Sequence, residues 1–316
     1  MDGGDTNKIK NYWVELEKLG VECHYLHNVY DEDIFKEYDI IHIFHLGHSF
    51  SHKFYLEAVR SDKPIVISPI YFPNQDNPIQ YRQEMLGYSS ATLYLSEGEK
   101  SQVAKLFENF RGLEERSFIV PNGVGDEFVV DGYKYEHPNR PEEEYVLCVG
   151  RLCSRKNQAN LAQACMELDI PLLLIGEPAD NLVTRACQAI ADKWEGLWWE
   201  GPVPHELLAD AYRGAKVLAC PSTLEMWPNV VAEGGLSGCN LVVGTGSMSF
   251  TDIDGVYTCD KTIDSIKEAV ASAYSDDRDE SLVGYFSEFT WEKSAAKLKE
   301  AYDYAIKNPI LPTYKV

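Results

Sequence analysis

Two clusters of charged residues, each following a short apolar run, are where this sequence could do chemistry. In YVLCVGRLCSRKNQANL, residues 145–150 have the length and branching of a buried strand. Arg151 ends that run, and Lys156 follows just before a helix is due to start near Asn157. Two cations beside the free N–H groups of a helix N-terminus suit a diphosphate. In KVLACPSTLEMWPNVVAEGGLSGCNLVV, residues 216–220 read the same way, and Glu225 stands in the loop after them. Pro228 takes the first helical position, where proline is tolerated best. Glu233 lies about five residues into that helix, roughly 8 Å along its axis. Gly234, Gly235 and Gly238 are expected to break the helix before the next strand, 240–243.

Spacing alone decides nothing here. Glu136/Glu144, Glu280/Glu288 and Glu292/Glu300 share the interval of Glu225/Glu233, and the macrodipole favours a glutamate in a first turn whether or not anything binds. Context separates the pair, because neither those pairs' strands nor their glycines are in place. Ligands of open α/β sheets lie beyond the carboxyl ends of the strands. A dication for phosphates and carboxylates for hydroxyls at one such edge describe a pocket for a nucleotide carrying a sugar.

Both clusters need a scaffold that brings strand ends to one edge. From residue 145 strand and helix alternate through 274, which implies a parallel sheet covered on both faces. The first half is less regular. Gly3 and Gly4 precede a helix over 8–19, as a glycine loop follows the first strand of a doubly wound domain, yet that strand is not in the sequence. The first strand of such a sheet is central, so its loss would leave a hole, unless the sequence starts late or another segment fills the place. Strands are expected at 21–27, 40–46, 64–68, 92–95 and 118–120, and helices at 31–38, 54–61 and 97–110. The polar stretch 74–88 is read as a segment that orders over an acceptor, and 126–144 as a linker. His42, His45, His48 and His52 invite a metal, but His42 and His45 would face opposite sides of a strand and no zinc spacing is matched. Asp31-Glu32-Asp33 reads as a helix N-terminus. Gly244-Thr245-Gly246 imitates a dinucleotide fingerprint whose third glycine is Ser249. The final helix, 291–306, carries Trp291, Ala295, Leu298 and Tyr302 on one stripe.

At 316 residues the chain can bury a large core, and its length suggests two domains. A formal net charge of −21 repels nucleic acid and anionic headgroups, so neither is an expected partner. No apolar run of spanning length appears, and the opening MDGGDTNKIK lacks the apolar core expected of a signal peptide. The eight cysteines fall at irregular intervals and read as reduced thiols of a cytoplasmic protein.

The pieces VPNGVGDEF, YVLCVGRLCSRKN, PLLLIGEP, PSTLEMWPNVVAEGGLSGC and FTWEKSAAKLKEAYDYA occur in the order and spacing of the family four (group 1) glycosyltransferases, which the chain resembles over about 118–307 and more weakly before. The resemblance implies the GT-B fold: two Rossmann-like doubly wound domains, 1–135 for the acceptor and 144–287 for the donor nucleotide, facing a cleft. A C-terminal segment, 288–316, would cross back to the first domain. It implies transfer of a sugar from a UDP-, GDP- or ADP-sugar to a glycan or other hydroxyl acceptor, with retention, no cofactor and no metal. By resemblance Arg151, Lys156 and Glu225 are catalytic. Gly3, Gly4, Glu177, Trp227, Pro228, Asn229, Val230 and Glu233 join them in holding the donor, with Glu233 on the ribose, while His45 and Tyr71 lie on the acceptor side. Two departures stand out: Ile70 replaces a histidine that many members carry at the end of a first-domain strand, and Gly125 replaces an acidic residue. A retired nucleotide-sugar-binding protein or a sugar-nucleotide epimerase of the same fold are the alternatives.

Overall fold

Runs of Val, Ile and Leu too short for helices form parallel strands whose side chains alternate between two covered faces. The structure is a computed structural model and describes residues 4–26, 34–72, 77–107, 112–129 and 144–311. Gly3, the acidic run 31–33 and most of the linker read at 126–144 lie outside the described residues. The chain forms two compact units, one of Met1–Gly123 with Trp291–Val316 and one of Val124–Thr290. All eight cysteines are free thiols, and no described helix is long and apolar enough to cross a membrane.

The first unit runs α1 (Gly4–Lys18), a 3-10 turn (Ile34–Glu37), β1 (Ile41–Phe44), α2 (Ser49–Arg60), β2 (Ile65–Ser68), α3 (Ile79–Gly87), β3 (Ala91–Tyr94), α4 (Glu97–Ala104) and β4 (Ser117–Ile119). The second contains β5 (Val146–Val149), α5 (Gln158–Leu168), β6 (Leu172–Ile175), α6 (Asn181–Ala191), β7 (Leu197–Glu200), α7 (His205–Gly214), β8 (Val217–Cys220), α8 (Asn229–Leu236), β9 (Asn240–Gly244), β10 (Val256–Cys259), α9 (Ile263–Ser275) and α10 (Glu280–Phe286). The last helix, α11 (Trp291–Lys307), belongs to the first unit.

In the first unit the sheet order is β1-β2-β3-β4, all parallel. Alternation along β2 is plain: Ile65 and Ile67 pack with Tyr55 and Ala58 of α2, while Val66 packs with Tyr12 and Leu16 of α1 and Leu298 of α11. The stripe on α11 is therefore core, with Ala295, Leu298 and Ala301 buried. Two expectations are corrected. Residues 21–26 form no strand and pair with none of the described strands. The stretch 74–88 is mostly the helix α3, anchored by buried Arg82, Met85 and Leu86. The edge of β1 that has no strand partner among the described residues borders a cavity of about 570 Å³, lined also by residues 21–26, by Tyr12 and Leu16, and by Leu298 and Tyr302.

In the second unit the order is β10-β9-β8-β5-β6-β7, again all parallel. Strand order reverses between β5 and β8, the switch point at which such sheets bind ligands. One face packs Leu147, Leu173, Leu218 and Leu241 against α7, α8 and α10; the other packs Val146, Leu172, Val217 and Val242 against α5, α6 and α9. Helix α10 has no counterpart in the sequence reading. It explains a third correction: Gly234 and Gly235 do not end α8, which runs to Leu236. A Cβ on Gly235 would stand 2.1 Å from the buried Phe286 ring of α10, and one on Gly234 2.5 Å from Leu218. These glycines let a helix sit against its neighbours, so Gly235→Ala is expected to cost about 1–3 kcal/mol by overpacking, read as a lower unfolding temperature of the second unit.

Candidate functional site

The two charged clusters lie at the carboxyl ends of the two strands that flank the switch point. Arg151 follows β5, and the chain then makes a 3-10 turn, Ser154–Lys156. Asn157, in the left-handed region at φ 61°, turns it into α5; asparagine tolerates that conformation better than most residues. Gln158 braces the loop, donating to the carbonyl of Arg151 at 2.9 Å and accepting from the Cys153 N–H at 3.3 Å. Beyond β8, Pro221–Glu225 meets this turn directly: the Thr223 N–H donates to the Arg155 carbonyl at 2.8 Å.

At the centre is Glu225, 7% exposed. Its Oε1 accepts from Arg155 Nη1 at 2.6 Å and Lys156 Nζ at 2.7 Å. Arg155 also donates to the Leu224 carbonyl at 2.8 Å. Burial would raise the Glu225 pKa, but the two cations outweigh it and hold the carboxyl below its ordinary value of 4.5. Burial would lower Lys156 in turn, and Glu225 lifts it above its ordinary 10.5. The turn after β9 fixes the loop from the other side. The Glu225 N–H donates to Gly246 O at 3.2 Å and its carbonyl accepts from the Met248 N–H at 2.7 Å. A Cβ on Gly246 would lie 2.1 Å from the Thr223 carbonyl. Gly244-Thr245-Gly246 thus serves close backbone approach to the Glu225 loop.

The residues read from the sequence fall as follows. Lys156 and Glu225 are in contact, whereas Arg151 is exposed and makes no ion pair among the described residues. Arg155, which the sequence reading passed over, takes a place at Glu225; its adjacency to Lys156 was the available signal. Glu233, half-buried on α8, accepts from the Tyr212 hydroxyl at 2.6 Å. Pro228 is the N-cap of α8 and offers no side-chain cap, and Asn229 and Val230 open the helix behind it. Trp227 packs its ring on Phe250 and Phe289, with centroids 4.4 and 5.2 Å away, and its buried Nε1 finds no acceptor among the described residues. Glu177 is exposed after β6, its carbonyl accepting from the Leu152 N–H at 2.8 Å.

The other candidates belong to the first unit. Gly4 opens α1. His45 follows β1 at φ 68° and donates its N–H to Ser68 O at 3.0 Å. Ile70 is held at φ 43°, a strained setting for a β-branched residue. The buried Glu99 carboxylate fixes the next residue, accepting from the Tyr71 N–H at 2.9 Å and from the Leu95 N–H at 2.7 Å. Burial raises the pKa of Glu99, and these backbone bonds offset part of that. Tyr71 is itself buried. His42 bridges Tyr302 at 2.7 Å and Ser68 at 2.9 Å, and burial lowers its pKa to about 3, so it is a neutral core residue. Among the described residues no three His, Cys, Asp or Glu side chains gather as metal ligands.

Glu225 is more acidic folded than unfolded, so its stabilisation is complete above the unfolded value and disappears as pH falls below it. Glu225→Gln should cost roughly 2 kcal/mol at neutral pH, between the values for exposed and buried pairs. It should also flatten the fall of the unfolding temperature below pH 4.5. Calorimetry across that range checks both; an acid limb identical to wild type would contradict the assignment.

Residues 131–285 match the family described as glycosyl transferases group 1. No curated protein sequence matches the chain. Among solved structures, sucrose-phosphate synthase from Thermosynechococcus elongatus is similar with a TM-score of 0.78 at 16% identity, over 95% of this chain and 93% of that one. HepE from Anabaena, in complex with UDP, gives 0.68 at 12% identity over 86% and 80%. The UDP-forming α,α-trehalose-phosphate synthase from Burkholderia xenovorans, in complex with glucose-6-phosphate, gives 0.67 at 14% over 95% and 77%.

Proposed function

Since residues 131–285 make this chain a group 1 glycosyltransferase of the GT-B fold, we propose that its second unit holds a uridine diphosphate sugar and that the sugar passes with retention to a hydroxyl of a sugar acceptor. The observation that carries the reading is the sharing of one Glu225 oxygen by Arg155 and Lys156 at the switch point. Those three side chains sum to one positive charge, to which the exposed Arg151 adds another. A diphosphate has the complementary charge.

Each residue then has a task set by its chemistry. Lys156 and Arg155, with Arg151 at the rim, bind the diphosphate and stabilise the negative charge that grows on it as the glycosidic bond to the donor breaks. Side-chain cations serve there in place of a divalent metal. The N-terminus of α8 points its dipole toward phosphate or hydroxyl oxygens. Glu225 is acceptor-only when ionised and takes a hydroxyl of the donor sugar; Glu233 takes the ribose hydroxyls, as acidic residues do in nucleotide-binding sheets. Uridine is favoured among the bases because HepE was solved with UDP and with UDP-glucose, and the trehalose-phosphate synthase is UDP-forming. The glucose-6-phosphate held by that synthase supports a sugar as acceptor.

A thermal-shift panel of UDP, GDP, ADP and their glucose conjugates should show the largest stabilisation with the uridine pair. The shift should shrink in Arg155→Ala and vanish in Lys156→Ala. With a sugar acceptor present, Lys156→Ala should lower kcat about 10²- to 10³-fold, the loss typical of one preorganised donor. A panel in which no nucleoside diphosphate stabilises the wild type sinks the reading. Binding without transfer to any acceptor would instead mark a retired enzyme.

A further inference from the structure

Glu233 is not left to find its own orientation. Tyr212 on α7 is fully buried, and its ring is set edge-on to Phe128 with centroids 5.4 Å apart. Its carbonyl accepts from the Cys239 Sγ at 3.1 Å, tying the base of the residue to the start of β9. From this fixed position the phenol donates to Oε2 of Glu233 at 2.6 Å. An ionised carboxylate can only accept, so the hydroxyl is the donor of the pair. Burial and the neighbouring carboxylate keep that hydroxyl protonated well above the ordinary tyrosine range. A buried tyrosine needs some acceptor, and a backbone carbonyl would have served, as the Ala211 carbonyl serves Tyr145 at 2.7 Å. Here the acceptor is a half-buried side chain on α8, the helix that follows the switch-point strand β8.

We propose that Tyr212 is a positioning residue for nucleotide recognition, locking the Glu233 carboxylate through Oε2 so that the group meets the two ribose hydroxyls in one orientation. This deepens the reading of Glu233 as the ribose ligand and rests on it. Tyr212 touches no part of the donor. Its effect is confined to the discrimination between a ribonucleotide and an analogue without the 2′ and 3′ hydroxyls, because only those hydroxyls read the orientation of Glu233.

The test is calorimetric titration of UDP and of 2′,3′-dideoxy-UDP into wild type, Tyr212→Phe, Glu233→Gln and Glu233→Asp. Tyr212→Phe keeps the ring and its Phe128 contact, and should weaken UDP about tenfold, the loss expected for one hydrogen bond to a charged group, while leaving the dideoxy analogue within about twofold. Glu233→Asp keeps the charge and the Tyr212 ring but withdraws the carboxylate from the phenol, and should show the same selective loss. Equal weakening of both ligands by Tyr212→Phe would make the residue structural and overturn the proposal. A ribose preference lost in Glu233→Gln but intact in Tyr212→Phe and Glu233→Asp would overturn the proposal alone. A preference intact in Glu233→Gln would overturn the ribose assignment beneath it.

Discussion

One carboxylate oxygen shared by two cations is the constraint on which the second unit turns. A nearly buried glutamate is tolerated only where opposite charge and hydrogen bonds replace lost water, and Glu225 meets that condition through Arg155 and Lys156. Neither cation reaches it unless β5 and β8 are neighbours, which the parallel order of the sheet ensures. The loop could not lie so close without glycine at 244 and 246, where any side chain would collide with the backbone of Ser222 or Thr223. Sheet order, glycine placement and charge pairing therefore describe one arrangement from three directions.

Much of this was legible because parallel strands buried on both faces have a short, continuous apolar signature and their carboxyl ends are marked by a change to polar residues. Residues 145–150 and 216–220 both show it, and so the edge carrying Lys156 and Glu225 was readable. Which cation meets which carboxylate was not. A strand end fixes where a turn begins, but the 3-10 geometry of Ser154–Lys156 and the left-handed Asn157 decide that Arg155 joins Glu225 while Arg151 stays exposed. Gly234 and Gly235 misled for a related reason. Glycine ends helices by its backbone freedom, yet it also lets a helix approach a neighbour, and the neighbour, α10, is short and weakly marked. The bond from Tyr212 to Glu233 joins two helices and left no trace in local pattern.

The first unit shows what pattern reading misses when pairing is missing. Residues 21–26 alternate as a strand should, but a strand exists only with a partner, and these residues line a cavity beside β1 and pair with none of the described strands. His42 sits at its wall, neutral and bonded to Tyr302 and Ser68, a polar link between sheet and α11. Across the unit, the residue after the strained Ile70 is fixed by a buried carboxylate, Glu99, whose two oxygens each hold a different backbone N–H. Local conformation in both places is set by distant residues.

That α11 belongs to the first unit has a consequence for how the protein is made. Ala295, Leu298 and Ala301 complete a core that begins with Tyr12 and Leu16, so the half that leaves the ribosome first is finished last. All of Val124–Thr290 is synthesised in between, a wait on the order of ten seconds or longer at ordinary translation speeds of about 5–20 residues per second. Through that interval the apolar side chains that await α11 are exposed to whatever else the nascent chain meets.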